Sequence, residues 1–230
     1  MANKKKKKPA KPQPQMSPNN YVKSGRARLL PISECWISPD WENVGLCTVT
    51  VGRQHINGNT TLGIYLVDTY CLGLKNTSVM FSKSALEYND FLDKIFSPHG
   101  GKEPIDYVLA HNIIFGAIAY AEDLGFKPEK DWALSEFILE EDTEDIELMD
   151  IKFGKDGKPL FISGPFDNVA KITTRLEQSV GKGNFDYLMQ IGGDGFNEFD
   201  DDLDFDDDDD DFDDDDDDTI EDIGYEEVKK

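Results

Sequence analysis

The sequence predicts a single α+β domain in which a largely antiparallel sheet packs with a long central helix and shorter helices. Three observations carry this prediction. Two strand-like segments come first, then helices, then two more strands, a helix and a last strand. Neighbouring strand segments are joined by short loops with glycine, which is typical of hairpins. The stretch between two charged termini, residues 29–193, is long enough for one hydrophobic core.

The first predicted hairpin pairs residues 46–53 with residues 61–72. Both segments are rich in Val, Ile, Thr and Tyr, and the first alternates apolar residues with threonine, as a half-buried strand does. The loop between them contains Asn57 and Gly58, a pair that tolerates positive φ. We therefore expect a hairpin with a loop longer than two residues.

Two helices are expected to follow this hairpin. Ser84 and Glu87 have the spacing of a capping box, and the apolar residues after them recur at helical intervals until Pro98. A longer helix is predicted from Pro104 to Gly125, about 30 Å at about 1.5 Å per residue. Its apolar side chains are spread around the whole circumference, which indicates a helix that is covered on most sides.

The remaining predicted elements are two helices, an acidic stretch, a second hairpin and a last strand. Aspartate is a preferred N-cap of a helix, glycine commonly ends one, and a glycine-rich turn favours a hairpin. A strongly acidic stretch is best placed on the surface, as a loop or a helix end. The elements are a short helix over 131–141, the acidic stretch 140–147, a second hairpin of residues 148–153 and 159–163, a helix over 167–181 capped by Asp167, and a strand over 185–191.

The charge is unevenly distributed along the chain. Residues 1–28 carry nine Lys and Arg and no acid, whereas residues 194–230 carry 22 acids and two lysines. Such segments bury too little apolar surface to offset the entropy of ordering, so we expect a disordered basic arm and a disordered aspartate-rich tail. The domain between them, residues 29–193, holds −12 of the total net charge of −23. Its field should repel polyanions and attract basic proteins.

Both charged ends are candidate binding segments. We expect the tail to contact a basic protein partner, with phenylalanines as apolar anchors, or to screen the arm of its own chain; a tail that only adds solubility is the alternative. The arm could hold nucleic acid weakly through phosphates, without reading bases. The residues predicted to bind are Lys4, Lys5, Lys6, Lys7, Lys8, Asp208, Asp210, Phe212, Asp214 and Asp216.

Two residues are weak candidates for catalysis. Asp68 lies within an apolar strand segment, where a carboxylate either has a partner or a use. His111 lies within the predicted long helix and would be a general base if Asp68 oriented it. A structural role is favoured for both. Asp68 would cap nearby backbone or pair with a buried base, and His111 would be a hydrogen-bonded core histidine.

Other motifs exclude several kinds of site. The odd number and wide spacing of Cys35, Cys47 and Cys71 match neither a disulfide framework nor a zinc site, so we expect reduced core thiols. No metal or cofactor is predicted. Residues 163–165 precede a helix and could present free amides to an anion, although an ordinary helix start is favoured.

No segment is predicted to enter a membrane, and the expected location is the cytoplasm.

Four segments resemble an uncharacterised family of bacterial proteins. They are Cys-Trp-Ile-Ser-Pro-Asp-Trp at residues 35–41, Gly-Leu at 45–46, Leu-Val-Asp-Thr-Tyr-Cys-Leu-Gly-Leu-Lys at 66–75, and Ala-Tyr-Ala-Glu-Asp-Leu-Gly-Phe at 119–126. The resemblance covers about residues 30–191 and implies a bacterial cytoplasmic domain of unknown function. It assigns no activity and no site.

These observations favour a non-enzymatic interaction module over two alternatives. One alternative is a hydrolase or nuclease-like enzyme that uses Asp68 and His111. The other is an RNA- or ribosome-associated factor that binds through the lysine-rich arm. The enzyme alternative requires that the side chains of Asp68 and His111 lie together in one cleft.

Overall fold

A five-stranded antiparallel sheet lies at the centre of the computed structural model, which describes residues 16–189. In chain order its strands are β1 (Ile32–Ile37), β2 (Leu46–Gln54), β3 (Thr60–Asp68), β4 (Gly73–Lys83) and β5 (Glu103–Ile105). Across the sheet the order is β4-β3-β2-β1-β5. The predicted α+β class, with a largely antiparallel sheet packed with helices, is confirmed.

Helices and a small second sheet complete the part of the chain that is described. The helices are α1 (Pro18–Lys23), α2 (Trp41–Val44), α3 (Ala85–Phe96), α4 (Tyr107–Asp123), α5 (Trp132–Ser135) and α6 (Val169–Val180). The second sheet consists of β6 (Leu160–Ile162) and β7 (Asp186–Leu188). None of the helices within residues 16–189 is both long and apolar enough to cross a bilayer.

Successive side chains of a strand point to opposite sides of a sheet. In the central sheet the side chains on both faces are covered by helices. On one face Tyr65 belongs to the main core cluster, together with Ile113 of α4. On the other face Leu62 packs with Leu92 and Phe96 of α3. Helix α4 therefore lies against one side of the sheet and α3 against the other.

The first hairpin and the capped helix form as predicted. β2 pairs with β3 over their whole length, from Leu46 opposite Asp68 to Gln54 opposite Thr60. The capping box of α3 is complete, since Ser84 and the Glu87 side chain satisfy each other's backbone N–H groups. Both elements follow from signals that lie within a few residues of each other.

Strand β4 is an element that the sequence pattern does not reveal. The predicted strand over 61–72 reverses direction after Asp68, which pairs with Gly73 at the start of β4. Gly73 has φ +65°, and a Cβ there would lie 2.6 Å from the Cβ of Ala121 and 2.7 Å from the carbonyl oxygen of Ala117. A glycine is required at this point both by the backbone conformation and by the close approach of α4.

The long central helix is confirmed, but it begins at Tyr107 and not near Pro104. Asp106 is its N-cap, and the Asp106 carboxylate accepts a hydrogen bond from Leu109 N–H at 3.0 Å. Pro104 instead lies in β5, opposite Trp36. A short edge strand tolerates proline because the missing N–H need not take part in the ladder.

The second predicted hairpin is corrected in its pairing. β6 pairs in parallel with β7, with Phe161 opposite Tyr187. Within the described chain, residues 148–153 form no strand. The backbone at positions 147 and 149 is instead hydrogen-bonded to Asn112 of α4, and this packing takes the place of strand pairing.

Two helix predictions in this half need smaller corrections. The helix predicted over 131–141 is the short α5 followed by a 3-10 turn at Glu136–Ile138. The N-cap of α6 is Asn168, whose side chain accepts a hydrogen bond from Lys171 N–H, and not Asp167. Asp167 is committed elsewhere, to the ammonium group of Lys75 at 2.7 Å.

The folded unit also includes residues that the sequence assigns to the basic arm. Val22 of α1 and Ala27 are buried in the main core cluster. The ring of Tyr21 lies edge-on to Phe81, with 5.2 Å between the ring centroids. The predicted arm boundary at residue 28 is therefore too late, because apolar side chains before it have partners in the core.

Candidate functional site

Asp68 is placed as a backbone cap in the turn between β3 and β4. Its carboxylate oxygen accepts hydrogen bonds from the N–H groups of Tyr70, at 2.9 Å, and Cys71, at 3.0 Å. The residue is 6% exposed. Burial raises the pKa of Asp68, and the backbone hydrogen bonds oppose that rise. A backbone cap is one of the two structural roles that the sequence favours for Asp68.

His111 is buried in the main core, with 1% of its surface exposed. Its ring stacks on Phe115 at a centroid distance of 4.4 Å. Burial lowers the pKa of His111, so the neutral imidazole donates from Nε2 to the carbonyl oxygen of Glu140 at 3.3 Å. This geometry corresponds to a hydrogen-bonded core histidine.

The structure does not bring the two catalytic candidates to a common cleft. Asp68 precedes Gly73, which approaches α4 at Ala117 and Ala121. His111 lies six to ten residues earlier on that helix, a separation of roughly 9 to 15 Å along its axis. Each side chain is satisfied by a different backbone group.

Three polar side chains of α4 instead hold one segment of the chain, residues 140–150, which we call the anchored acidic segment. The Tyr107 hydroxyl accepts from Glu140 N–H at 2.6 Å, and His111 donates to the Glu140 carbonyl. Asn112 donates to the carbonyl oxygen of Glu147 and accepts from Met149 N–H, both at 2.9 Å. The backbone of this irregular segment is thus fixed at both ends to a buried helix.

A buried arginine adds a fourth anchor. The Arg53 side chain of β2 is 2% exposed, and its guanidinium lies 2.9 Å from the Glu140 carboxylate. It also donates to the carbonyl oxygens of Ile138, Leu30 and Arg28, at 2.8, 2.9 and 3.1 Å. A buried charge is tolerated when it is paired and hydrogen-bonded in this way. The anchors therefore come from α4 and from the central sheet.

The outer side of the anchored acidic segment is strongly negative. Residues 140–150 include seven acids and no Lys or Arg. Among the described residues, ion pairs reach only Glu140 and Glu141, with Arg53 and Arg28. An apolar residue stands among these acids, since Leu148 is 89% exposed. The exposed acids of the segment are Glu141, Asp142, Glu144, Asp145, Glu147 and Asp150.

The sequence predicts a surface loop or a helix end here but does not identify the side chains that anchor it. Its signal is the presence of Tyr107, His111 and Asn112 on a helix that is otherwise apolar on most sides. Buried polar groups on such a helix need partners. The acidic segment supplies those partners through its backbone.

The predicted binding residues of the two charged ends are not placed by the structure. Lys4, Lys5, Lys6, Lys7, Lys8, Asp208, Asp210, Phe212, Asp214 and Asp216 lie outside the described range, 16–189.

All three cysteines are buried and free, as the sequence predicts. Burial raises the pKa of Cys35 and of Cys47 to about 12 and raises that of Cys71 as well. The thiols therefore stay protonated and unreactive at neutral pH. Within residues 16–189, no group of three or more His, Cys, Asp or Glu side chains is arranged to hold a metal ion.

No protein-family model matches the chain, and no curated protein or solved structure is detectably similar to it. The resemblance to an uncharacterised bacterial family stays a prediction.

Proposed function

We propose that this protein is a non-enzymatic interaction module that binds a basic protein partner. The observation that carries the proposal is the anchored acidic segment, in which buried and half-buried side chains fix an irregular backbone while six of the seven acidic residues remain exposed. A surface that is fixed before binding loses less conformational entropy in the complex than a mobile one. Preorganisation of this kind favours a binding role for the segment.

The charge of the segment selects the partner. Five of the seven acids in residues 140–150 form no ion pair among the described residues, and they attract cationic side chains over about a Debye length, which is roughly 8 Å at physiological ionic strength. Such a field speeds the approach of a basic protein and rejects polyanions. Among these acids the exposed Leu148 provides an apolar contact, so the best ligand combines lysine or arginine with apolar residues.

The tail extends the same chemistry under this proposal. Residues 194–230 add 22 acids and several phenylalanines. Two acidic binding segments on one chain raise the effective concentration of each for a shared partner. We assign to Asp208, Asp210, Phe212, Asp214 and Asp216 a second, weaker contact with the same basic surface.

The test compares the anchored acidic segment with acids elsewhere on the domain. A labelled peptide of alternating lysine and leucine is titrated into the full chain and into Glu144→Gln/Asp145→Asn/Asp150→Asn, and binding is followed by fluorescence anisotropy. We expect the affinity to fall about tenfold, since each exposed charge contact contributes roughly 0.2–1 kcal/mol. The three residues are exposed and form no ion pair among the described residues, so folding is retained.

The matched control removes the same charge at Asp90, Glu122 and Asp123, which are exposed on α3 and α4. Its affinity should change by less than a factor of about two. Replacing the four aspartates of the second contact, at 208, 210, 214 and 216, by asparagine measures how much the tail contributes to the affinity for the peptide. Equal losses in the segment variant and the control would refute the proposal, because binding would then follow net charge alone.

Two alternatives gain no support from the described residues. The hydrolase or nuclease-like enzyme needs Asp68 and His111 together, and each is instead bound to separate backbone groups. Nucleic-acid or ribosome binding through Lys4–Lys8 remains a prediction from sequence. We place the protein in the cytoplasm, since three free buried thiols suit a reducing compartment.

A further inference from the structure

A cleft of about 290 Å³ lies where the start of β4, the loop after α4 and helix α6 meet. We call it the lysine cleft, because Lys75, Lys127 and Lys130 line it. Its apolar lining includes Phe126 and Ile172. Small-molecule sites commonly combine an apolar wall with a few polar groups in this way, at about 300–1,000 Å³. At about 290 Å³ the cleft lies at the lower limit of this range, so it suits only a small ligand.

The charge of the lysine cleft is opposite to that of its surroundings. Residues 16–189 contain 25 acids against 16 Lys and Arg. The lining holds three lysines and a single acid, Glu129. Lys127 and Lys130 are exposed and take part in no ion pair within the described chain. Two unpaired ammonium groups beside an apolar wall provide a site for an anion.

The third lysine is already neutralised by the protein. Lys75 lies 2.7 Å from the Asp167 carboxylate, which also accepts from Gly164 N–H at 2.8 Å. Within residues 163–165, the candidate anion site, the Gly164 N–H thus binds a carboxylate of its own chain. A ligand would be held by Lys127 and Lys130, while Lys75 ties β4 to the start of α6.

The walls of the lysine cleft are joined by hydrogen bonds. Glu129 N–H donates to the carbonyl oxygen of Leu74 at 3.2 Å, which aligns the loop after α4 with β4. On the other side, the Ser179 hydroxyl of α6 donates to the carbonyl oxygen of Leu124 at 2.6 Å. The Lys75–Asp167 ion pair links β4 with the residues before α6. The cleft is therefore preformed.

We propose that the lysine cleft binds a small organic anion, with a carboxylate or phosphate group against Lys127 and Lys130 and an apolar group against Phe126 and Ile172. This inference is independent of the acidic segment, since it concerns a ligand of the opposite charge at a different surface. The apolar group distinguishes the site from a set of surface lysines, because inorganic anions would gain nothing from the wall.

The experiment measures binding to the full chain by isothermal titration calorimetry, with phenyl phosphate, benzoate and inorganic phosphate as probes. We expect the aromatic anions to bind more tightly than inorganic phosphate. Binding of either aromatic anion supports the proposal, and their ratio identifies the preferred acid group. If neither binds, or if inorganic phosphate binds as tightly as phenyl phosphate, the proposal is overturned.

A charge-matched pair of variants locates the site. Lys127→Gln/Lys130→Gln should lower the affinity for the aromatic anion about tenfold. Lys152→Gln/Lys182→Gln removes the same charge outside the cleft and should lower this affinity less than about twofold. All four lysines are exposed, and far-ultraviolet circular dichroism verifies the fold of both variants. Equal weakening by the two variants would contradict a site in the cleft.

Discussion

Arg53→Met is predicted to cause a large loss of stability and to release the anchored acidic segment. The Arg53 side chain is 2% exposed and donates to the carbonyl oxygens of Arg28, Leu30 and Ile138 as well as to the Glu140 carboxylate. Methionine can fill much of the space of the arginine stem but has no donor. The substitution therefore removes four hydrogen bonds without opening a large cavity.

The magnitude follows from the groups that lose their donor. A buried polar group left unsatisfied costs about 1–3 kcal/mol. Three carbonyl oxygens lose Arg53, whereas the Glu140 side chain is 42% exposed and can turn to water. We expect a loss of about 4 kcal/mol, because the hydrogen bond to the Ile138 carbonyl is buried and those to the Arg28 and Leu30 carbonyls are partly buried. This is a large share of a typical stability of about 5–15 kcal/mol.

Urea unfolding of the full chain, followed by tryptophan fluorescence, measures the loss. Glu140→Gln is the comparison variant. It keeps an acceptor for Arg53 but removes the negative charge beside the buried guanidinium, so it should cost more than the loss of an exposed ion pair and less than Arg53→Met. Arg53→Lys should fall between the two, since an ammonium group cannot reproduce the fork of a guanidinium. If Arg53→Met stays within about 1 kcal/mol of the unsubstituted chain, the arginine is not an energetic anchor and the reasoning is wrong.

Two further predictions concern the candidates for catalysis. Burial lowers the pKa of His111, so its stabilising effect is complete above the unfolded-state pKa of about 6.5 and is lost as the pH falls below it. The free energy of unfolding, measured by urea titration, should therefore fall less between about pH 7.5 and about pH 5 for His111→Gln than for the unsubstituted chain. A larger fall for the variant would contradict the assignment of His111 as a buried neutral imidazole. Burial raises the pKa of Asp68, so its charge costs stability once the pH exceeds the unfolded-state value of about 3.9. Asp68→Asn keeps an acceptor for Tyr70 and Cys71 and should be at least as stable as the unsubstituted chain near neutral pH, with an advantage that shrinks on acidification. Asp68→Ala should cost about 2 kcal/mol in the same assay, and an alanine variant as stable as the asparagine variant would exclude the capping role.

The elements that the sequence predicts correctly have short-range signals. Ser84 and Glu87 are three residues apart, and together they define the start of α3. The hairpin of β2 and β3 follows from alternating side chains on either side of a loop with Asn57 and Gly58. Pro104 misleads because proline suits both a first helical turn and an edge strand, and only the approach of β1 selects the strand.

The candidate site shows the opposite behaviour. His111 and Asn112 stand out in the sequence as polar residues in an apolar helix, but their partners cannot be read from it. Asn112 bonds with Glu147 across 35 positions, and Arg53 pairs with Glu140 across 87. Nothing near these residues indicates such contacts. The sequence allows either a catalytic partner or a structural hydrogen-bond partner for the His111 imidazole. In the folded chain the partner is the carbonyl oxygen of Glu140.

The sequence by itself determined the segregation of charge, the α+β class and the burial of the long helix, because composition and periodicity express how each residue meets water. Tertiary structure alone decided that α4 and β2 hold the acidic segment and that a cleft with three lysines lies within an acidic domain. Those features depend on which elements pack together, and a hydrogen bond forms only when packing brings a donor within about 3 Å of an acceptor. Local sequence constrains that distance only weakly when the two groups are far apart in the chain.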